Sequence, residues 1–294
     1  MIAHLLIAAA LLASGCESFI NKRAASSTYA ILKQSNIVAR READLQLARD
    51  ATPGGLMQLE AFSLAYPDHS GFKQLHAEAF CSYAVAFIFD DWEDASLADR
   101  TAEADALATR LRPLLARCAA LNRALLPRAW RDKPIAELPP LAKKAHAPAL
   151  LWLATTDAVS LALAPMANFT KLPDIRAALT RCAELAPGAH NADAELLLAT
   201  LEAGTGAVFG TSDGHAAFDR ARSASGPGAL LVDVMFARGT AVARKDRALF
   251  TSTLEAAVAA DVSQWPERRL ANELARKKAR RYLAAIDKLV AAVR

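Results

Sequence analysis

The chain has 294 residues, with 35 Lys and Arg against 31 Asp and Glu and a formal net charge of +4. That balance is too small to argue for nucleic acid, and alanine and leucine dominate while glycine, proline and β-branched runs are sparse. The composition therefore points to an all-α protein long enough for one large helical domain or two small ones.

The N-terminus comes first in chain order. An apolar stretch from Ile2 to Ala13 leads into Ser14-Gly15-Cys16. This is the layout of a bacterial lipoprotein signal, cut after Gly15, with Cys16 as the lipid-bearing residue. The apolar run is shorter than the roughly 20 residues that span a bilayer. The expected division is a signal peptide over 1–15, a lipidated tether over 16–28 and one helical domain over 29–294. The mature protein is expected on the periplasmic side of a cell-envelope membrane, held by its N-terminal lipid, with inner or outer membrane left open.

A first helix is expected from Tyr29 to Asp50. Thr52-Pro53 reads as a cap and first turn of a second, which ends at Tyr66-Pro67. Asp68 caps a third helix, and Asp90-Asp91-Trp92-Glu93-Asp94 breaks it as a solvated loop. A long helix follows from Ser96 to about Leu126, with Pro113 as a kink or break. A connector rich in Pro and Lys fills 127–147. Pro148 opens the most apolar helix, Ala149 to Ala164, and Pro173-Asp174 opens the next, closing at Leu185-Ala186-Pro187. Helices then run from about Ala192 to Val208 (ending at Gly210), around Phe218, from Leu230 to Val242, from Asp246 to about Ala260, and from Pro266 to the C-terminus.

The final helix shows an apolar stripe at spacings of three and four: Ala271, Leu274, Ala275, Ala279, Tyr282, Ile286, Leu289 and Val293. Arg268, Arg269, Arg276, Lys277, Lys278, Arg280 and Arg281 lie between them, and we read them as a solvated face rather than a docking surface. Cys81, Cys118 and Cys182 are far apart and odd in number, so we read them as small buried hydrophobes rather than a disulfide framework.

Helix pairs in series imply a solenoid. Phe218-Asp219-Arg220-Ala221 places an aromatic three residues before an alanine, the tetratricopeptide (TPR) arrangement. Pro67 and Pro187 each follow their helices at the spacing that ends a TPR unit. The expected fold is a TPR-like helical-hairpin solenoid, a single compact array of antiparallel helix pairs.

A resemblance adds to this reading. Ala149-Leu150-Leu151-Trp152-Leu153-Ala154 looks like the Trp-bearing apolar helix of the TatT family, the lipoprotein T component associated with TRAP transporters. Lys171-Leu172-Pro173-Asp174, the stretch Ala183 to Ala189, the repeat within Gly210 to Arg222, and Arg269 to Ala279 resemble its later motifs in order. Thr155, Thr156 and Asp157 depart from the small and aromatic residues expected there. The resemblance implies a non-enzymatic helical scaffold that associates with the periplasmic solute receptor of a TRAP transporter and helps hand over its ligand. The alternative is a TPR lipoprotein serving envelope assembly, in outer-membrane protein insertion or cell-wall synthesis. Self-association into a homo-oligomer stays open.

The residues offer little chemistry. There is no phosphate loop and no nucleophile elbow, no cofactor is implied, and no catalytic or metal-ligating residue is assigned. His76 and Glu78 are two apart and point in different directions on a helix, and His69, His146, His190 and His215 lie near helix ends. Asp157 sits mid-helix among Leu153, Val159, Leu161 and Leu163. A charge there needs a partner, such as an Arg from a neighbouring helix, or an open groove. Trp152 and Asp157 are the candidate groove-lining positions, and Cys16 is the candidate lipidation site.

Overall fold

The computed structural model describes residues 23–290, and among them there is helix but no strand. Cys16 and the expected signal lie outside the described residues. Helix α1 covers 23–40, so helix begins inside the stretch read as tether.

Helix α2 spans Leu45–Ala65. Asp44 caps it, its Oδ1 accepting from the backbone N–H groups of Gln46 at 2.8 Å and Leu47 at 3.1 Å. The expected boundary at Thr52-Pro53 does not occur. Thr52 donates its hydroxyl back to the carbonyl of Ala48, and Pro53 lies within the helix. A strong side-chain cap at Asp44 starts the helix earlier, and the proline then removes one donor from it.

Helix α3, Ser70–Tyr83, is capped by His69 Nδ1, which accepts from Phe72 N–H. It runs without interruption through a π-helical segment, Ala84–Phe89, into α4, Asp90–Leu97. The expected break at Asp90–Asp94 is therefore overturned, for a reason given below. A tight turn at Asp99 (φ 57) leads to α5, Thr101–Leu125, with Pro113 inside it. Short 3₁₀ turns fill the proline-rich connector.

The second half follows the local signals closely. Helix α6 is Ala147–Leu163 with Pro148 in its first turn, α7 is the short Pro165–Asn168, and α8 is Leu172–Leu185 with Pro173 in its first turn. Helix α9, Ala189–Phe209, closes on Gly210 in the left-handed conformation (φ 66) that glycine adopts freely. Gly214 (φ 76) opens α10, His215–Ser225, and a Cβ there would stand 2.6 Å from that of Ala203 on α9. Helix α11, Leu230–Phe236, passes into a second π segment, Ala237–Ala241. Asp246 caps α12, Arg247–Ala259, by accepting from Leu249 N–H at 2.9 Å. Helices α13, Arg269–Ala284, and α14, Ile286–Leu289, are the last among the described residues.

Packing follows chain order: α2 on α3, α3 on α5, α5 on α6, α6 on α8, α8 on α9, α9 on α10, α10 on α11, and α12 on α13. The core is segmented accordingly. Leu150, Leu153, Ile175 and Leu179 fill the space between α6 and α8. Phe218 and Ala221 are fully buried against α9 and α11, where Phe218 meets Phe236 edge to face at 5.8 Å. Phe250, Leu254, Ala275, Ala279 and Tyr282 form the last segment.

The cysteines need a correction. Cys81 on α3 and Cys118 on α5 form a disulfide across the α3–α5 contact, with Cα atoms 5.2 Å apart. Among the described residues, the remaining cysteine, Cys182, is a buried free thiol, which burial and the charge of Glu195 push up to about 12. The pairing partners are 37 residues apart, so only the packing of α3 on α5 brings them together. A cross-link over that separation stabilises by restricting the unfolded chain. The double variant Cys81→Ala/Cys118→Ala should lose about 3–4 kcal/mol in urea unfolding under oxidising conditions, and a loss below about 1 kcal/mol would contradict the assignment.

Candidate functional site

The densest polar cluster joins α4 to α13. Asp90 and Glu93 are three residues apart and share one face of α4, and Lys277, Lys278 and Arg281 share one face of α13. The π segment Ala84–Phe89 inserts an extra residue ahead of α4, which rotates the side that α4 presents. Arg281 donates through Nη2 to Asp90 Oδ1 at 2.7 Å and through Nη1 to the Asp90 carbonyl at 2.9 Å. Lys277 Nζ lies 3.0 Å from Asp90 Oδ2, and Lys278 Nζ lies 3.0 Å from Asp90 Oδ1. Glu93 pairs with both Lys278 and Arg281 and accepts from Tyr282 Oη at 2.6 Å. Asp90, Arg281 and Tyr282 are buried.

Two readings from the sequence are thereby corrected. The acidic run is not a solvated loop, and Lys277, Lys278 and Arg281 are not a solvated face. Each set supplies the counter-charges that allow the other to leave water. Burial by itself raises the Asp90 carboxyl, but Lys278, Arg281 and Lys277 outweigh it and hold it well below the ordinary carboxylate range. Glu93 is depressed in the same way, with burial outweighed chiefly by Lys278 and Arg281. Tyr282 is pushed up by burial and by Glu93.

Of the candidate groove positions, Trp152 is half-buried and packs against the cluster formed by Phe80 and the Cys81–Cys118 bridge. Asp157 is also half-buried, and its Oδ1 accepts from Lys171 Nζ at 2.8 Å. A partner for Asp157 was anticipated, though it is a Lys from the turn before α8. Thr155 and Thr156 are buried and donate to the carbonyls of Leu151 and Leu153 on their own helix. The two candidates are not in one cluster.

A third group was not legible in the sequence. Arg40 of α1 donates to Glu78 Oε1 on α3 at 3.1 Å, and His190 Nδ1 of α9 lies 3.8 Å from the same oxygen. Asp193 stands nearby, and burial together with the charges of Glu78 and Glu195 pushes it up to about 7. Three helices distant in sequence meet here, so no local spacing announces it.

Open hollows lie on the surface, two of which border these helices. One of about 330 Å³ is lined by Asp94, Leu97, Arg281, Ala285 and Lys288, and one of about 320 Å³ by Leu230, Asp233, Phe236 and Ala257. Among the described residues no group of three His, Cys, Asp or Glu side chains could hold a metal ion. No described helix is long and apolar enough to cross a membrane.

These features define an all-α protein, among its described residues, whose polar clusters hold helices together. The profile of the family described as TAtT, TRAP transporter T-component, matches residues 41–290, so the chain belongs to that family. It is a family of transporter components. No curated protein matches the chain.

The titrations make opposite demands on stability. Asp90 and Glu93 have depressed folded values, so their contribution is present above their unfolded values and is lost as pH falls through the folded ones. Asp193 has a raised folded value, so the native state is favoured below its unfolded value and that advantage is lost as pH rises through about 7. Asp193→Asn should therefore gain melting temperature over the wild type at pH 8 relative to pH 5. Parallel melting profiles for the two proteins across that range would contradict the assignment.

Proposed function

We propose that this protein is a lipid-anchored periplasmic accessory scaffold of a TRAP-type solute transport system, one that binds the system's solute receptor and assists ligand handover. Membership of the T-component family over residues 41–290 is the observation that carries this reading. The same membership favours transport over envelope assembly.

Several residues support the finer points. The run Leu11 to Cys16 supports an acyl anchor at Cys16. The serial packing of α2 through α13 supports a TPR-like helical-hairpin solenoid, and so does the complete burial of Phe218 and Ala221. We retain Trp152 and Asp157 as groove-lining candidates, because each keeps part of its surface on the most apolar helix of the chain. In this reading the protein itself supplies no catalytic residue and no cofactor. Its work is recognition on a surface assembled from several helices.

One preparation tests both anchoring and partnership. The full-length protein and Cys16→Ala are expressed in the source cells, membranes are sedimented, and bound proteins are recovered by affinity. The wild type should sediment with membranes and recover a TRAP-type solute receptor. Cys16→Ala should move to the soluble periplasm and still recover the receptor. Recovery of barrel-assembly or cell-wall factors without a receptor would overturn the transport reading, and sedimentation unchanged by Cys16→Ala would overturn the anchor.

A further inference from the structure

The cluster where α1, α3 and α9 meet holds more negative charge than it can balance once its protons leave. Glu78 on α3 accepts from Arg40 of α1 at 3.1 Å, and His190 Nδ1 lies 3.8 Å from the same oxygen. Glu195, two residues beyond Asp193, accepts from the Gly188 N–H through Oε1 at 3.0 Å. Its Oε2 is buried and has no hydrogen-bond partner among the described residues. Asp193 sits between the buried Ala192 and Ala194, and the charges that act on it are those of Glu78 and Glu195. On α8, Cys182 feels Glu195 and stays a buried thiol. From α10 the Ala224 carbonyl oxygen approaches, 2.7 Å from where a Cβ on Gly188 would stand.

The balance of charge follows from these groups. With Asp193 protonated and His190 cationic, Arg40 and His190 match Glu78 and Glu195. With both protons gone, Arg40 alone stands against three carboxylates. Both losses belong near neutral pH. Histidine ordinarily changes charge there, and only its cationic form attracts a carboxylate. Asp193 is pushed up to about 7 by burial first, then by Glu78 and Glu195. A raised folded value favours the closed form while the proton is held, and that advantage drains away as pH rises towards and through about 7.

The backbone is strained at the same place. Gly188, His190 and Ala192 have φ of 70, 51 and 64, so the start of α9 carries two non-glycine residues in the left-handed region. Such residues persist only where surrounding contacts hold them. The holding contacts here include Glu195 on the Gly188 N–H and Glu78 on His190, both members of the cluster. Helix α3 packs mainly on α2 and α5, and α9 on α8 and α10. The cluster therefore joins parts of the fold whose main packing lies elsewhere.

We propose that the first turn of α9 is a proton-operated clasp, closed on α3 at mildly acidic pH and released as pH rises past neutrality. Release leaves the rest of α9 in place, because Leu196, Ala199 and Ala203 are buried with Phe218 of α10 and Val232 of α11.

Hydrogen exchange of the full chain, read by mass spectrometry and corrected for intrinsic base catalysis, tests the clasp. The amides of 189–195 should lose about tenfold or more of their protection between pH 5 and pH 8, while those of α10 keep theirs. Asp193→Asn should keep most of that protection at pH 8. Glu78→Gln removes the tie to Arg40 and His190 together with one of the three carboxylates, so it should lower protection at pH 5 and flatten the pH dependence. Protection of 189–195 that is equal at the two pH values, or that falls alike in the wild type and Asp193→Asn, would overturn the clasp. A loss shared equally by α10 would overturn it as well, because it would report unfolding of the array and not release of one turn.

Discussion

The burial of Asp90 and Glu93 against Lys277, Lys278, Arg281 and Tyr282 is the constraint on which the architecture turns. Nearly 190 residues separate the two sides of the Lys277–Asp90 contact, and helices α5 to α12 lie between them in the chain. A serial array of helix pairs ordinarily has two ends, each exposing an apolar face that needs a polar cap. Here the last long helix returns to the first hairpins. Helix α13 contacts α2, Leu274 packs on the core of the Ala84–Phe89 segment, α5 and α6, and Lys288 reaches the carbonyl of Leu97. The ends cover one another.

Apolar contact alone does not specify this meeting, since many helix faces in the chain are Ala- and Leu-rich. Charge does. A buried carboxylate without counter-charge is costly, and the hydrogen-bonding geometry of Arg281 to both the side chain and the carbonyl of Asp90 admits one register. The disulfide between α3 and α5 secures the adjoining hairpin on the same continuous helix that carries Asp90. Two covalently or electrostatically fixed contacts thus bracket the Ala84–Phe89 π segment.

This division explains what the sequence disclosed. Pro148, Pro173, Asp246 and Gly210 act within one helical turn, through missing donors, side-chain caps and left-handed backbone, so the boundaries they set were legible. The paired burial of Phe218 and Ala221 was legible from its spacing as well. Asp90, Glu93, Lys277 and Arg281 read as solvated because each run taken alone is too charged to bury. Their burial depends on the other run, far away in the chain. Cys81 and Cys118 were opaque for the same reason. At the candidate site, Asp157 was recognisable as a charge in need of a partner, but Lys171, which meets it, lies fourteen residues on in the turn before α8. The chain belongs to the TRAP transporter T-component family, and the groups it buries together belong to the assembled helices and to no single motif.

The most direct test of this account is a double-mutant cycle between Asp90→Asn and Arg281→Met, read by urea unfolding of the full domain at neutral pH. The account predicts that the two substitutions are strongly non-additive, with a coupling of about 2–3 kcal/mol, because each single change removes from the other side chain a buried counter-charge and the hydrogen bond made with it. Additivity within about 0.5 kcal/mol would contradict it, and would mean that the two ends meet without depending on these charges.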